Sequence, residues 1–213
     1  MIISARYLVD RLRLVRSRAD EVRELRRRLA AEAQDGRAGA DELALAGELR
    51  SLRQALSDAL GTIQACSSCA RGCPQPAGRW DGGRCCSGRT AELFSDEEIA
   101  ALCHGGTRAG DLQAPRSEHA GCAFRGPQSC SLPVAHRPNV CVSYLCTTAV
   151  HEVYDRGMLD LIDELKAQIA ATFARFVTAR SERRLDEAMS LPAGWRADPS
   201  GSRPAGLQGH QES

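Results

Sequence analysis

The ten cysteines of this 213-residue chain all lie between Cys66 and Cys146, and the long segments on either side contain none. Within this window the cysteines are Cys66, Cys69, Cys73, the adjacent pair Cys85 and Cys86, then Cys103, Cys122, Cys130, Cys141 and Cys146. Cysteines placed for packing alone would be spread more widely, so this confinement indicates that the thiols share one function. Clustered thiols either bind a metal or form a disulfide network.

Composition and targeting signals favour a metal. Aromatic residues make up only 4% of the chain, so a large aromatic core is not expected and a bound metal would supply stability. The amino terminus lacks the uninterrupted apolar stretch of a signal peptide, and no run of about 18 apolar residues occurs. We therefore expect a cytoplasmic protein that does not enter the membrane, with thiols kept reduced. A net charge of +1 gives no reason to expect nucleic acid as a partner.

Two apolar stripes with heptad-like spacing precede the cysteines, and they predict an antiparallel, coiled-coil-like helical hairpin over residues 1–65. The first stripe consists of Leu8, Leu12, Val15, Ala19, Val22, Leu25 and Leu29, and the second of Leu45, Leu49, Leu52, Leu56, Leu60 and Ile63. A turn with two glycines at residues 34–41 separates them. One stripe per helix is enough for the two helices to bury each other. A surface for a protein partner is the alternative use of this hairpin.

Residues 66–148 are rich in glycine, proline, arginine and serine, and they are expected to form an irregular, cysteine-rich metal-binding domain. One short helix is predicted there, because Ser95 and Glu98 fit a capping box and two glycines end the pattern. Its predicted buried side consists of Ile99 and Leu102. Glu98 is therefore interpreted as a first-turn acid and not as a catalytic carboxylate.

The cysteine spacing is typical of thiolate metal sites. A Cys-x2-Cys turn, such as Cys66 to Cys69, can aim two thiolates at one ion, as in zinc knuckles and iron–sulfur loops. Adjacent cysteines do not easily serve the same tetrahedral ion, so Cys85 and Cys86 favour two centres, or one ligand beside a packed or reactive thiol. The predicted ligands are Cys66, Cys69, Cys73, Cys85, Cys86, Cys122, Cys130, Cys141 and Cys146. The expected cofactor is zinc or iron, the iron also as an iron–sulfur cluster.

Other side chains of the same segment have a simpler explanation. Cys103, at the end of the short helix, is at least as well explained as a small buried apolar residue as it is as a ligand. His119, His136 and His151 lack a histidine partner at metal-ligand spacing, which favours polar or surface roles.

A family resemblance rests on the later cysteines. The stretch from Gly121 to Cys146 resembles the second half of the YkgJ-like cysteine-cluster family, which is described as a zinc- or iron-chelating domain. The matching positions are Cys122, Phe124, Cys130, Ser131, Arg137, Pro138, Cys141 and Cys146. The first half is similar through Cys66-x2-Cys69 and through Cys85-Cys86, which a capped helix follows. The chain departs from the family where residues 73–84 intervene and where Pro133 stands near the place of the usual tyrosine.

The resemblance implies a metal-chelating domain over residues 66–146. Because some relatives are associated with protein lysine N-methylation, it also implies a cluster-dependent protein-modifying enzyme as an alternative function. The Arg-Pro pair before Cys141 has a physical role of its own, since proline biases the preceding Arg137 towards extended geometry and sets the approach of Cys141. Arg137 is further interpreted as a counter-charge for a thiolate centre.

The remainder of the chain completes a mainly α fold. An apolar stripe from Val153 to Val177 predicts an amphipathic helix over residues 149–190, with Gly157 as a break near its start. Residues 191–213 predict a disordered tail. The expected architecture is an N-terminal antiparallel hairpin plus a long C-terminal helix around an irregular, metal-stapled cysteine-rich segment. The leading function is a metal-binding protein with a structural, metal-handling or redox role, and whether it is also an enzyme stays open.

Overall fold

The computed structural model describes residues 18–66, 90–115, 122–125 and 130–190. These residues are mainly helical, as predicted, and strand pairing among them is limited to an isolated antiparallel bridge between Arg125 and Cys130. The helices are α1 (Arg18–Asp35), α2 (Ala40–Leu60), α3 (Asp96–His104), α4 (Asn139–Ser143), α5 (Thr147–Asp155) and α6 (Leu159–Ser190). Short 3-10 turns cover Thr90–Leu93, Ala109–Asp111 and Val134–His136. No helix in the described part is long and apolar enough to cross a membrane.

The first core is built on α2 and α6, which pack side by side in opposite directions. Near one end Arg183 of α6 pairs with Glu42 of α2, and further along Thr172 donates to Glu48 at 3.0 Å. The buried members of this core are Leu45, Ala46, Leu49, Leu56, Ile63, Ala100, Ala101, Val142, Ala149, Val153, Ile162, Ile169 and Phe176. Residues 149–190 form two helices, because the chain turns at Gly157, whose φ of +67° favours glycine. The predicted break is therefore confirmed.

The second core is built on α1 and on the irregular segments around the cysteines. Its buried members are Val22, Leu25, Leu29, Phe94, Ile99, Leu102, Leu112, Cys122, Ala123, Phe124 and Leu132. Phe94 and Phe124 meet at its centre, with ring centroids 6.0 Å apart in a tilted arrangement. Two stretches of chain with little secondary structure thus bury their aromatic residues against one stripe of α1.

Helix α3 lies between the two cores. Its Ile99 and Leu102 belong to the second core, as predicted, while Ala100 and Ala101 belong to the first. The predicted cap is also confirmed, because the Glu98 N–H donates to the Ser95 hydroxyl at 3.2 Å. A short helix whose central residues 98–102 are buried therefore joins two separate apolar clusters.

The structure corrects one detail of the predicted hairpin. Helices α1 and α2 follow each other across a short connection, and most described members of each stripe are buried, although Ala19 is exposed and Leu52 and Leu60 are half-buried. However, the α1 stripe packs into the second core and the α2 stripe into the first, so the two do not bury each other. The physical reason is that an apolar stripe needs only an apolar partner. Helix α6 offers Ile162, Ile169 and Phe176 to α2, and the cysteine-rich segment offers Phe94 and Phe124 to α1.

A buried polar cluster ties α1, α2, α3 and α6 together. Arg180 Nη1 lies 2.7 Å from Glu32 Oε1 and 3.6 Å from Glu42 Oε2. His104 Nε2 lies 3.4 Å from the same Glu32 oxygen, and burial is the main cause that lowers the pKa of this imidazole. Arg183 also pairs with Glu42. His104, which follows Cys103, is thus engaged in holding helices together.

Candidate metal centre

The nine predicted ligands divide by what the structure describes. Cys69, Cys73, Cys85 and Cys86 lie outside the described residues, and Cys66, Cys122, Cys130, Cys141 and Cys146 lie within them. In the ranges that are described, no three metal-ligating side chains gather around one point. The five predicted ligands that are described instead lie in two regions, one in the second core and one at the rim of the first.

Cys122 and Cys130 lie beside each other in the second core. The turn at residues 122–125 is closed by the Arg125 N–H, which donates to the Cys122 carbonyl at 3.0 Å. The Ser131 N–H donates to the Phe124 carbonyl at 2.7 Å, and this contact together with the bridge to Arg125 places Cys130 against the turn. Two cysteines that are eight positions apart in sequence are therefore brought together by backbone hydrogen bonds.

The Cys122 thiol is buried and hydrogen-bonded. Burial is the main cause that raises its pKa to about 11, and the neighbouring Cys130 adds to the rise. The Phe124 N–H and the Thr90 hydroxyl donate to the sulfur and act in the opposite direction. Thr90 is itself fixed, since its hydroxyl accepts the Ala123 N–H at 2.8 Å. The sulfur thus has donors in place that also suit a metal-bound thiolate.

The second place is at the rim of the first core, where Cys66, Cys141 and Cys146 are found. Cys66 ends a single helical turn after Ile63, Cys141 lies within α4, and Cys146 is the N-cap residue of α5. Ile63 is a member of the first core, and Cys146 packs against the same core. Cys66 is exposed, while Cys141 and Cys146 are half-buried.

A charged pair on α5 holds the turn that carries Cys66. The Glu152 carboxylate accepts the N–H groups of Gln64 and Ala65 at 2.9 and 3.0 Å, and these two hydrogen bonds are the main cause that lowers its pKa. The neighbouring Arg156 donates to the carbonyls of Leu60 and Thr62 at 3.0 and 2.8 Å. Because α5 begins at Cys146, the pair fixes the Cys66 turn relative to the helix that Cys146 starts.

A buried contact, which the sequence interpretation missed, holds α4. Arg53 Nε donates to Asn139 Oδ1 at 2.7 Å, and Arg53 Nη2 donates to Glu98 Oε2 at 3.2 Å. The other oxygen of Glu98 accepts the backbone N–H of Asn139 at 2.9 Å. Burial raises the pKa of Glu98 and lowers that of Arg53, and each charge opposes the shift of the other. A signal was present, because Arg53 stands four residues after Leu49 and so falls on the apolar stripe of α2.

The Arg137-Pro138 pair connects the two places. Arg137 Nε donates to the Leu132 carbonyl at 2.7 Å, and Nη2 donates to the Cys130 carbonyl at 3.4 Å. Pro138 is the N-cap residue of α4, which carries Cys141. From the sequence, Arg137 was interpreted as a counter-charge for thiolates. Its hydrogen bonds in the described part of the chain are instead to the backbone carbonyls of Leu132 and Cys130.

The remaining candidate ligands are Cys103 and three histidines. Cys103 packs against the second core with its sulfur 4.0 Å from the Leu29 carbonyl, and burial is the main cause that raises the pKa of its thiol. His136 Nδ1 lies 3.0 Å from the Thr107 hydroxyl, and His151 is exposed on α5. His119 lies outside the described residues.

No family model matches the chain, and no curated protein or solved structure matches it either. The resemblance to the cysteine-cluster family therefore stays a prediction that rests on the motif residues.

Proposed function

We propose that this chain is a cytoplasmic metal-binding protein that holds zinc or iron through cysteine thiolates of residues 66–146, with a structural, metal-handling or redox role. The observation that carries the proposal is the pair Cys122 and Cys130. Two thiols lie together in a packed core, and the sulfur of the more buried one already receives hydrogen bonds from Phe124 and Thr90. Packing alone needs no such donors, whereas metal-bound sulfur is stabilised by them.

Chain connectivity supplies further ligands to this pair. Thr90 bonds to Ala123 next to Cys122, and Cys86 precedes Thr90 by only four residues. Cys85 and Cys86 are the cysteines nearest in sequence to Thr90, so one member of this pair is a candidate to join Cys122 and Cys130.

The rim of the first core supports a second centre. Cys66, Cys141 and Cys146 belong to elements that pack around the same apolar cluster, and Cys69 and Cys73 follow Cys66 directly in sequence. Ten thiols are enough for two four-cysteine sites with two left over, so two separate places are compatible with the cysteine count. Cys103 is one of the two left over, since it packs in the second core.

The ligand chemistry limits the metal to a few kinds. Thiolate sites favour zinc, iron and iron–sulfur clusters, and they disfavour magnesium and calcium, which prefer oxygen. A metal ion must also displace the protons of the thiols, including that of Cys122, whose pKa is about 11 without metal. Metal binding is therefore expected to release protons and to weaken as the pH falls.

Purification without oxygen, followed by metal and sulfide analysis and an absorption spectrum, tests the proposal. Bound iron with sulfide and a brown colour supports an iron–sulfur centre, and a colourless protein with stoichiometric zinc supports a zinc centre. A protein without metal contradicts the proposal. The pair of replacements Cys141→Ala and Cys146→Ala is expected to remove only part of the metal, because the centre at Cys122 and Cys130 remains. Unchanged metal content would show that Cys141 and Cys146 are not ligands.

A further inference from the structure

We propose that Asn139 is a positioning residue of the thiolate centre, held by Glu98 and Arg53 so that Cys141, two residues later, meets the metal in a fixed orientation. This inference rests on the proposed function and adds a residue outside the cysteine set. Asn139 is the first residue of α4, directly after Pro138. Its side chain is 9% exposed, so it lies inside the protein although it belongs to the cysteine-rich segment.

Two other helices fix the start of α4 through Asn139. The N–H of a first helical residue has no acceptor within its own helix. Here Glu98 of α3 accepts it at 2.9 Å. Arg53 of α2 donates to the Asn139 side-chain oxygen at 2.7 Å. Because the two bonds come from different helices, α4 can neither turn nor slide without breaking one of them.

The burial of Arg53 and Glu98 suggests that this charged pair serves to orient Asn139. Arg53 is 1% and Glu98 is 7% exposed, so both charges have lost their water. A buried ion pair of this kind generally adds little stability over apolar side chains of the same volume. What distinguishes such a pair from apolar side chains is that its hydrogen bonds are directional, because a carboxylate and a guanidinium bind their partners in a defined geometry. In this molecule the shared partner of both groups is Asn139.

The Asn139 side chain also has a donor group, Nδ2, that these contacts do not use. The contact with Arg53, which only donates, requires that the atom facing it is Oδ1, so the Nδ2 group lies on the opposite side of the amide. Nδ2 is buried and has no acceptor in the described part of the chain. A buried donor without an acceptor is unfavourable. A metal-bound thiolate is an acceptor of the required class, so a thiolate centre beside α4 would satisfy this donor.

Cobalt(II) titration of the metal-free full-length chain, without oxygen, tests this inference. Cobalt bound by thiolates has charge-transfer and visible bands that report ligand geometry. Asn139→Ala and Glu98→Gln are each expected to lower cobalt affinity about 10- to 100-fold, as outer-shell changes do, and to shift those bands. Should Asn139→Ala not fold by circular dichroism, Glu98→Gln carries the test of the hold on α4. Asn139→Asp keeps the acceptor for Arg53 and loses the Nδ2 donor, so it tests the donor alone and is expected to shift the bands.

Glu32→Gln is the matched control. Glu32 is also a largely buried carboxylate paired with a buried arginine, Arg180, but its described contacts are with Arg180 and His104 and do not involve Asn139 or α4. The inference predicts wild-type affinity and wild-type bands for this control. Unchanged binding and bands in the Asn139 and Glu98 variants would overturn the inference, and so would equal changes in the Glu32 control. Wild-type protein that binds no cobalt through thiolates would instead contradict the proposed function itself.

Discussion

The two cores of this protein are built in different ways. The first core consists mainly of two long helices, α2 and α6, whose apolar stripes meet along their length, and its cysteines lie at the rim. The second core packs α1 and α3 against short irregular segments, and Cys122 is one of its buried members. Helices with matching stripes can stabilise each other without a ligand, whereas irregular segments bury too little apolar surface to do so. The difference predicts that the proposed metal stabilises the second core more than the first.

Removal of the metal from the second core is expected to have the largest effect. When Cys122 and Cys130 are both replaced by serine, amides of α1 should lose most of their protection from hydrogen exchange. Amides of α2 and α6 should keep theirs, because the first core does not need these thiols. Wild-type protein treated with a chelator serves as the comparison and should show the same pattern. Equal loss of protection in both cores would contradict the distinction between them.

Truncation of one phenylalanine in each core sharpens the comparison. Phe176 in the first core and Phe124 in the second are both 0–1% exposed, so each replacement by alanine should cost about 3–5 kcal/mol of the free energy of unfolding in metal-bound protein. In metal-free protein the cost of Phe176→Ala should persist, while that of Phe124→Ala should fall sharply, because its surroundings are already loosened. Urea unfolding with and without metal measures both. A Phe124→Ala cost that does not depend on metal would be evidence against the second core needing it.

Replacement of Cys103 distinguishes a thiol that packs in the second core from one that binds metal. Its half-buried thiol packs against that core, so Cys103→Ala should leave the metal content unchanged and cost about 0.5–1 kcal/mol of stability. Metal analysis and urea unfolding of the purified variant give both values. Loss of metal from this variant would move Cys103 into the ligand set.

The smallest effect is expected at Glu152 beside the first core. Hydrogen bonds from Gln64 and Ala65 hold the pKa of this carboxyl below its ordinary value of 4.5. A lowered pKa in the folded state means that the group stabilises the fold above pH 4.5, and that this contribution is lost as the pH falls through the folded-state pKa. The difference in Tm between wild type and Glu152→Gln should therefore be small near neutral pH and vanish in acid. A difference that stays constant with pH would exclude the charged carboxylate as its cause.

Signals between neighbouring residues were sufficient to predict several features of the fold. The Ser95 cap, the buried pair Ile99 and Leu102, and the break at Gly157 each depend on neighbouring residues, and all are present in the structure. The partners of the two N-terminal stripes were not predictable in the same way. Spacing shows which face of a helix is apolar, but the choice of partner depends on distant segments such as those that carry Phe94, Phe124 and Phe176.

The candidate site shows the same limit. Cys122 and Cys130 were predicted as ligands, and the backbone bonds that bring them together could not be read from their spacing. The contact of Arg53 with Glu98 and Asn139 was missed, because it joins residues 45 and 86 positions apart. The position of Arg53 on an otherwise apolar stripe was the one available warning, since a charge at such a position needs a buried partner.

Native mass spectrometry of protein purified without oxygen tests the central claim most directly. The intact folded chain is predicted to exceed the mass of its polypeptide by a whole number of zinc or iron ions, or of iron–sulfur clusters, less the thiol protons that they displace. The variant with serine at positions 122 and 130 should lose at least one of these. A folded wild-type chain whose mass equals that of the polypeptide with ten reduced thiols would contradict the account.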